Sequence, residues 1–347
     1  MHDLRRYEPA ETYDWNYAHA PDPVDVSAAV VPGSWDFCGL PVDSPLGVAA
    51  GPLLNGRWVL YYASLGFDVL TYKTVRSVER ACYPLPNLLP VRCGQLRGGE
   101  TSVPADARLG ESWAVSFGMP SKSPEVWRAD VEATRRRLPP GKLLSVSVVA
   151  TEQPGWTLDD LADDYARCAR WAVESGADTV ETNFSCPNVS TCDGQLYQSP
   201  ADAGLVAQHV REAIGAKPYI IKIGHIAPEQ DADALVAALS PWADALALTN
   251  SIATHVVDER GTPLFDGQRR GICGAAIREA SVAQTARLRD VIARRGDKLR
   301  LIGVGGAFCS ADIEAYLRAG AHAVHLATAA MIRPDVALEI RKKELRA

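Results

Sequence analysis

The chain has 347 residues, 47% hydrophobic and 22% charged, with a formal net charge of -6. That composition belongs to a globular protein with room for one large core or two smaller ones, and its acidic balance excludes nucleic acid as an obvious partner. No apolar run approaches the roughly 18 residues of a membrane span, and Met1-His2-Asp3-Leu4-Arg5-Arg6-Tyr7 has no apolar stretch behind its charges, unlike a secretory signal.

Residues 1–44 are rich in Pro, Asp and aromatics without clear periodicity, and read as an extension packed over the body. From residue 45 the pattern alternates. Short apolar runs at 47–51, 68–74, 143–150, 179–185, 219–224, 245–251, 301–306 and 323–329 read as strands buried on both faces, as parallel strands are. Residues 75–122 interrupt this alternation after the second run. They hold Pro84, Pro86, Pro90 and the turn Gly98-Gly99, and a long insertion after a barrel strand lies on the catalytic face.

Helical patterns separate the strands. Leu158, Leu161, Tyr165, Ala169, Ala172 and Val173 share one helical face, with Thr157 and Asp160 spaced as a capping box. Ser123-Pro124 and Ser199-Pro200 each place a cap residue before a first-turn proline, and Ser310 opens another helix. Gly66, Gly176 and Gly320 each stand at a helix exit just before a strand, where a left-handed cap suits glycine. Repeated strand–helix units predict an α/β fold with a parallel sheet, barrel or doubly wound. Eight units favour a (β/α)8 TIM barrel over residues 45–347, carrying the N-terminal extension and the insertion.

In a barrel the strand C-terminal ends build the site, and here those ends carry chemistry. Gly305-Gly306 and Thr328 follow strands seven and eight, where barrels often bind phosphate; the alternative is a plain glycine turn. Lys73 and Lys222 sit inside apolar strands, as fixed charges facing an anionic ligand or as strand-end lysines reaching solvent. Asn183, Asn188 and Asn250 can each donate and accept, which suits a flat ring of alternating N–H and C=O groups but also ordinary turns. The eight cysteines, Cys38, Cys82, Cys93, Cys168, Cys186, Cys192, Cys273 and Cys309, form no C-x-x-C pair. Zinc and iron–sulfur spacing is therefore absent, no metal site is expected, and reduced thiols in a cytoplasm fit best. Cys186 lies before Pro187 at a strand-to-loop transition; a lone cysteine is more often an inert buried hydrophobe than a catalyst.

Asn183-Phe184-Ser185-Cys186-Pro187-Asn188 resembles the N-[LIF]-S-C-P-N signature of the dihydroorotate dehydrogenase family, which includes the pyrimidine-reducing domain of dihydropyrimidine dehydrogenase. Agreement runs in order over roughly residues 40–335. It takes in Pro45 to Gly51, Tyr72-Lys73-Thr74, Ser116-Phe117-Gly118-Met119-Pro120, Asp193-Gly194-Gln195-Leu196, Lys222, Thr249-Asn250-Ser251, Gly271-Ile272-Cys273-Gly274, Gly305-Gly306 and Thr328-Ala329. The resemblance implies an FMN-dependent oxidoreductase on an eight-stranded barrel, and a homodimer. It places Ala49, Ala50, Gly51, Lys73, Thr74, Asn183, Lys222, Thr249, Gly274, Gly305, Gly306 and Thr328 against FMN. Lys73, Phe117, Gly118, Met119, Asn183, Asn188, Asn250 and Ser251 would meet substrate. Cys186 would be the general base, with Lys73 beside it.

The expected reaction interconverts a dihydropyrimidine-like ring, dihydroorotate or a related cyclic amide, and its unsaturated form. Two positions depart from the family. Its carboxylate-holding asparagine is Val115 here, and the glycine before Thr328 is Ala327. A cysteine base and an extension that is not an amphipathic hairpin argue against the membrane-bound, quinone-linked class. No G-x-G-x-x-G follows a strand, which leaves fumarate, oxygen or a separate protein as electron acceptor. Rival functions are a flavin-free lyase or aldolase using Lys73 or Lys222 as a Schiff base, and a non-catalytic flavin-binding protein.

Overall fold

A computed structural model describes residues 4–185, 195–227 and 231–343. Eight strands close a parallel barrel: β1 (Leu46–Val48), β2 (Val69–Val75), β3 (Leu143–Val148), β4 (Thr179–Asn183), β5 (Tyr219–Lys222), β6 (Ala245–Leu248), β7 (Arg300–Val304) and β8 (Ala323–Leu326). Each strand pairs with its chain neighbours, and β8 closes on β1. All eight apolar runs are barrel strands. Most end earlier than the apolar pattern does. Ala49-Ala50-Gly51, Asn250-Ser251 and Gly305-Gly306 lie beyond the strand ends, and Thr328 begins a short helix, Thr328–Ile332. The apolar character continues because these residues line a cleft, not because the ladder goes on.

The alternation of inward and outward side chains divides the core. Outward residues such as Val48, Leu70, Val146, Val180, Leu246 and Val324 are buried under the helices. Helix Leu158–Glu174 shows the link from sequence to packing. Thr157 Oγ1 accepts from Asp160 N at 3.2 Å, Thr157 N donates to the Asp160 carboxylate at 2.8 Å, and the face led by Leu161, Tyr165, Ala169 and Ala172 is buried. Helices Pro124–Arg137 and Pro200–Ile214 do start with a proline in the first turn, but the serine side chains before them make no cap bond. For Ser310–Arg318 the cap is Cys309, with Asp312 accepting from Phe308 N and Cys309 N. Gly66, Gly176 and Gly320 all have positive φ.

The inward residues nearest the strand starts, Val69, Leu143, Ile220, Ala245 and Ala323, form a second cluster with Phe37 and Val42. Those two come from a hairpin of Trp35–Phe37 and Leu40–Val42, which stoppers the N-terminal end of the barrel. Phe37 stacks on the buried His325 ring, with centroids 5.6 Å apart. Elsewhere the extension is tied to the body by hydrogen bonds from Trp58 Nε1 to Asn16 O and from Tyr61 Oη to Arg5 O, both 3.0 Å.

The opposite end is roofed by a second sheet. Its strands run in the order Leu88–Pro90, Ser112–Val115, Arg270–Gly274, Ile252–Val257 and Ser102–Pro104. Three come from the insertion after β2 and two from the connection after β6. That second excursion has a readable signal: Ile252, Thr254 and Val256 alternate with more exposed neighbours, followed by the turn residues Asp258 and Gly261. No helix among the described residues is long and apolar enough to cross a membrane.

Candidate active site

A cleft opens at the strand C-terminal ends beneath this roof. Its inner surface carries Ala49, Ala50 and Gly51 after β1, Lys73 and Thr74 on β2, Asn183 ending β4, Lys222 ending β5, and Asn250 and Ser251 after β6. The insertion supplies the facing wall: Leu88, Trp113, Val115, Phe117, Gly118 and Met119. One end runs into a narrow recess formed by Gly274, Gly305, Gly306 and Thr328, sharing Asn250, Cys273, Val304, Ala327 and Thr328 with the main cleft. The other end opens into an outer chamber of about 490 Å³ that shares Asn250 and Ser251 and is bordered by Ser185, Gln195, Arg97 and Arg269.

Each element is held in place locally. Asn183 Nδ2 reaches Met119 Sδ at 3.5 Å, and its Oδ1 accepts from Ser185 N at 3.1 Å, so the strand β4 amide is braced against the insertion. Asn250 donates to the Ser185 carbonyl. Thr74 and Ser147 hydroxyls are 3.0 Å apart. The Phe117–Met119 turn is pinned from two sides. Asn87 Nδ2 donates to Ser116 O at 2.9 Å, and the fully buried Arg76 donates through Nε to Met119 O at 3.1 Å. Gly118 has φ +73°, and a Cβ there would stand 2.5 Å from the Tyr83 ring.

The recess is built from close backbone approaches. A Cβ on Gly306 would lie 2.5 Å from Gly274 O, and one on Gly274 would lie 2.0 Å from Glu111 O. Among the described residues the Gly305 and Gly306 N–H groups donate no hydrogen bond, which leaves a pair of backbone donors beside the Thr328 hydroxyl. Such a nest suits an anion. Ala327 has φ -128°, outside the left-handed region that favours glycine.

Electrostatically the cleft is positive. Lys73 and Lys222 are both 8% exposed, and no Asp or Glu among the described residues lines the cleft or recess. Cys273, not among the candidate residues, also faces the cleft. Burial pushes its thiol up, and the Thr328 hydroxyl 3.4 Å away pulls it partly back.

The candidate residues thus converge, with three exceptions. Thr249 is fully buried behind the cleft, where its N–H donates to Ser281 Oγ at 3.1 Å and its hydroxyl has no partner among the described residues. Cys186 and Asn188 lie outside the described residues, as does the Asp193-Gly194 pair. Sequence reasoning missed Leu88, Trp113, Cys273 and Arg76. The first three are ordinary core types whose role depends on the roof sheet. Arg76 had a signal, a guanidinium closing an apolar strand three residues after Lys73.

A closed eight-stranded parallel barrel, roofed over a positive cleft at its C-terminal end, is the architecture of a barrel enzyme with its site at the strand C-terminal ends. Residues 34–347 match the family model described as dihydroorotate dehydrogenase. A dihydroorotate dehydrogenase of Dictyostelium discoideum is 31% identical over 88% of this chain and 86% of its own length. The catalytic subunit of dihydroorotate dehydrogenase B (NAD(+)) from Solidesulfovibrio magneticus is 26% identical over 88% of this chain and 89% of its own. In fold, the structure of Eimeria tenella DHODH in complex with ferulenol superposes with a TM-score of 0.73 at 18% identity, covering 95% of this chain and 88% of that one.

The chain belongs to the dihydroorotate dehydrogenase family. It is an oxidoreductase acting on a CH–CH bond, and the lyase and aldolase alternatives fall with that assignment.

Proposed function

We propose that the protein is an FMN-dependent enzyme that interconverts a dihydropyrimidine-like ring and its unsaturated form, with Cys186 as general base and acid. The observation that carries this reading is the continuity of the cleft. A nest of glycine backbone at Gly274, Gly305 and Gly306 lies at one end, and a ring-sized space among Lys73, Asn183, Lys222, Asn250 and Ser251 at the other. FMN has this division, a phosphate joined through a polyol to a flat ring system.

When bound, FMN supplies the hydride acceptor. The chain's own residues supply the rest. Gly305, Gly306 and Thr328 would hold the phosphate, and Lys222 would offset negative charge on the ring. Asn183 and Asn250, already braced by Met119 and Ser185, present amides to the alternating N–H and C=O groups of a cyclic amide. Cys186 directly follows Ser185, which borders the outer chamber, and takes the proton from the carbon next to the one losing hydride. Leu88, Trp113, Val115 and Phe117 keep that side of the ring dry. Val115 offers no hydrogen bond to a ring carboxylate, so the substrate is dihydroorotate or a relative with a different substituent. A homodimer is proposed on the family resemblance alone.

The test is spectroscopic. The purified protein should be yellow, and dihydroorotate or a neutral dihydropyrimidine added without oxygen should bleach it. A colourless protein that takes up no FMN would overturn the reading.

A further inference from the structure

Beneath the cleft the barrel interior holds a carboxyl group that the proposed chemistry does not use. Glu181 is on β4, two residues before Asn183, and Lys222 is the register partner of Asn183 on β5. Side chains two apart on a strand share a face. Asn183 and Lys222 both line the cleft, so Glu181 faces the barrel axis one layer beneath them. The intervening Thr182 points outward, its hydroxyl 2.9 Å from Tyr219 Oη. Glu181 is 3% exposed. The Ser147 hydroxyl hydrogen-bonds its carboxyl, and Oε1 has no partner among the described residues.

Among the described residues, Glu181 is the one source of balancing charge for Lys222. Burial raises the Glu181 carboxyl above its ordinary value, and Lys222, then Ser147, pull it partly back. Two other described groups feel Lys222: Cys273 on the roof, whose thiol burial pushes up and so keeps neutral, and His325, which burial and the lysine together depress to about 3, so it too carries no counter-charge. Asp68, buried just before β2, is already engaged by Lys142 and Arg341.

We propose that Glu181 is the positioning residue for Lys222: its carboxylate is the standing counter-ion beside this lysine and sets how much of the lysine's charge the ligand feels. This rests on the flavin reading of the cleft for its effect on a flavin, but not for its ionisation. Without Lys222 the buried carboxyl keeps only the Ser147 hydroxyl against its desolvation and takes up a proton.

Two measurements test it. In the first, infrared difference spectra of the protein without added ligand, assigned with Glu181→Gln, should show an ionised carboxylate at neutral pH and a protonated carboxyl in Lys222→Met. A protonated Glu181 in the unaltered protein would overturn the proposal. In the second, Glu181→Gln should raise the two-electron midpoint potential of bound FMN by about 30 mV, tenfold in equilibrium constant, because more of the lysine charge is left to favour the reduced ring. The same substitution in a Lys222→Met background should leave the potential unchanged. Equal shifts in both backgrounds would overturn the coupling. If Glu181→Gln does not fold, Glu181→Met removes the charge at similar volume and serves both measurements. If Lys222→Met retains no flavin, the infrared comparison decides. A protein that never binds flavin refutes the proposed function and leaves the infrared result to stand or fall by itself.

Discussion

Asn183 and Lys222 are register partners on neighbouring barrel strands, and both end at the floor of the cleft. An amide that can read a ring edge and an ammonium that can balance charge are thus fixed side by side by backbone hydrogen bonds rather than by a loop. Lys222→Met should keep the fold, since an unbranched apolar side chain fills the same space. It should lower the rate of flavin reduction by about 10²-fold, the usual scale for removing one electrostatic contact to developing charge. Stopped-flow bleaching measures this, and a rate within twofold of the unaltered protein would remove Lys222 from the chemistry.

Cys186→Ala should leave flavin content unchanged while slowing flavin reduction by about 10²–10⁴-fold, the range for loss of a general base. In the unaltered protein the rate should rise with pH as the thiolate forms, and the alanine variant should lose that dependence. An unchanged pH profile would assign the proton transfer elsewhere.

Val115→Asn should tighten orotate binding about tenfold or more, because an amide facing the cleft can satisfy a carboxylate that is otherwise left short of a partner at about 1–3 kcal/mol. Flavin difference spectra report the dissociation constant. If orotate binds no tighter, the cleft holds its ligand's substituent away from Val115.

Gly306→Ala places a methyl group where only 2.5 Å separates it from Gly274 O, at a backbone with φ +69°. Strain of this kind costs about 1–3 kcal/mol. The variant should melt lower and purify with little flavin. Full flavin occupancy would show that the recess does not hold the phosphate.

His325 gives a pH signature. Its ring has both nitrogens without partners among the described residues and a pKa depressed from 6.5 to about 3. The unfolded chain therefore binds a proton that the folded chain refuses. This contribution to stability is intact above about pH 6.5 and declines as pH falls toward 3, by about 1.4 kcal/mol per pH unit. Glu181 acts with the opposite sign, since its carboxyl is raised in the fold. Comparing denaturant midpoints of His325→Gln with the unaltered protein over pH 4–7 isolates the histidine. Parallel curves would mean the ring is not buried neutral.

How far the sequence could be read depended on whether the information was local. Strand β5 was legible because Tyr219 to Lys222 is apolar up to the lysine, and helix Leu158–Glu174 because its cap and face are set by neighbours in sequence. The roof sheet was not. Ser112–Val115 pairs with Arg270–Gly274 across more than 150 residues, and no local pattern announces such a pairing. For the same reason Trp113 and Cys273 looked like ordinary core residues. Thr249 is a different case: its motif neighbours line the cleft, while its own hydroxyl is buried without a partner among the described residues.

The roof strand Ser112–Val115 has one further consequence. Val115 meets the ring end of the cleft, while Ser112, three residues earlier, is the register partner of Gly274 in the recess. One short, rigid segment thus touches both what would discriminate the substrate and what would retain the cofactor. A shift that reshapes one is transmitted along the strand to the other, so the two properties would change together and could not be tuned separately by substitutions that move this segment.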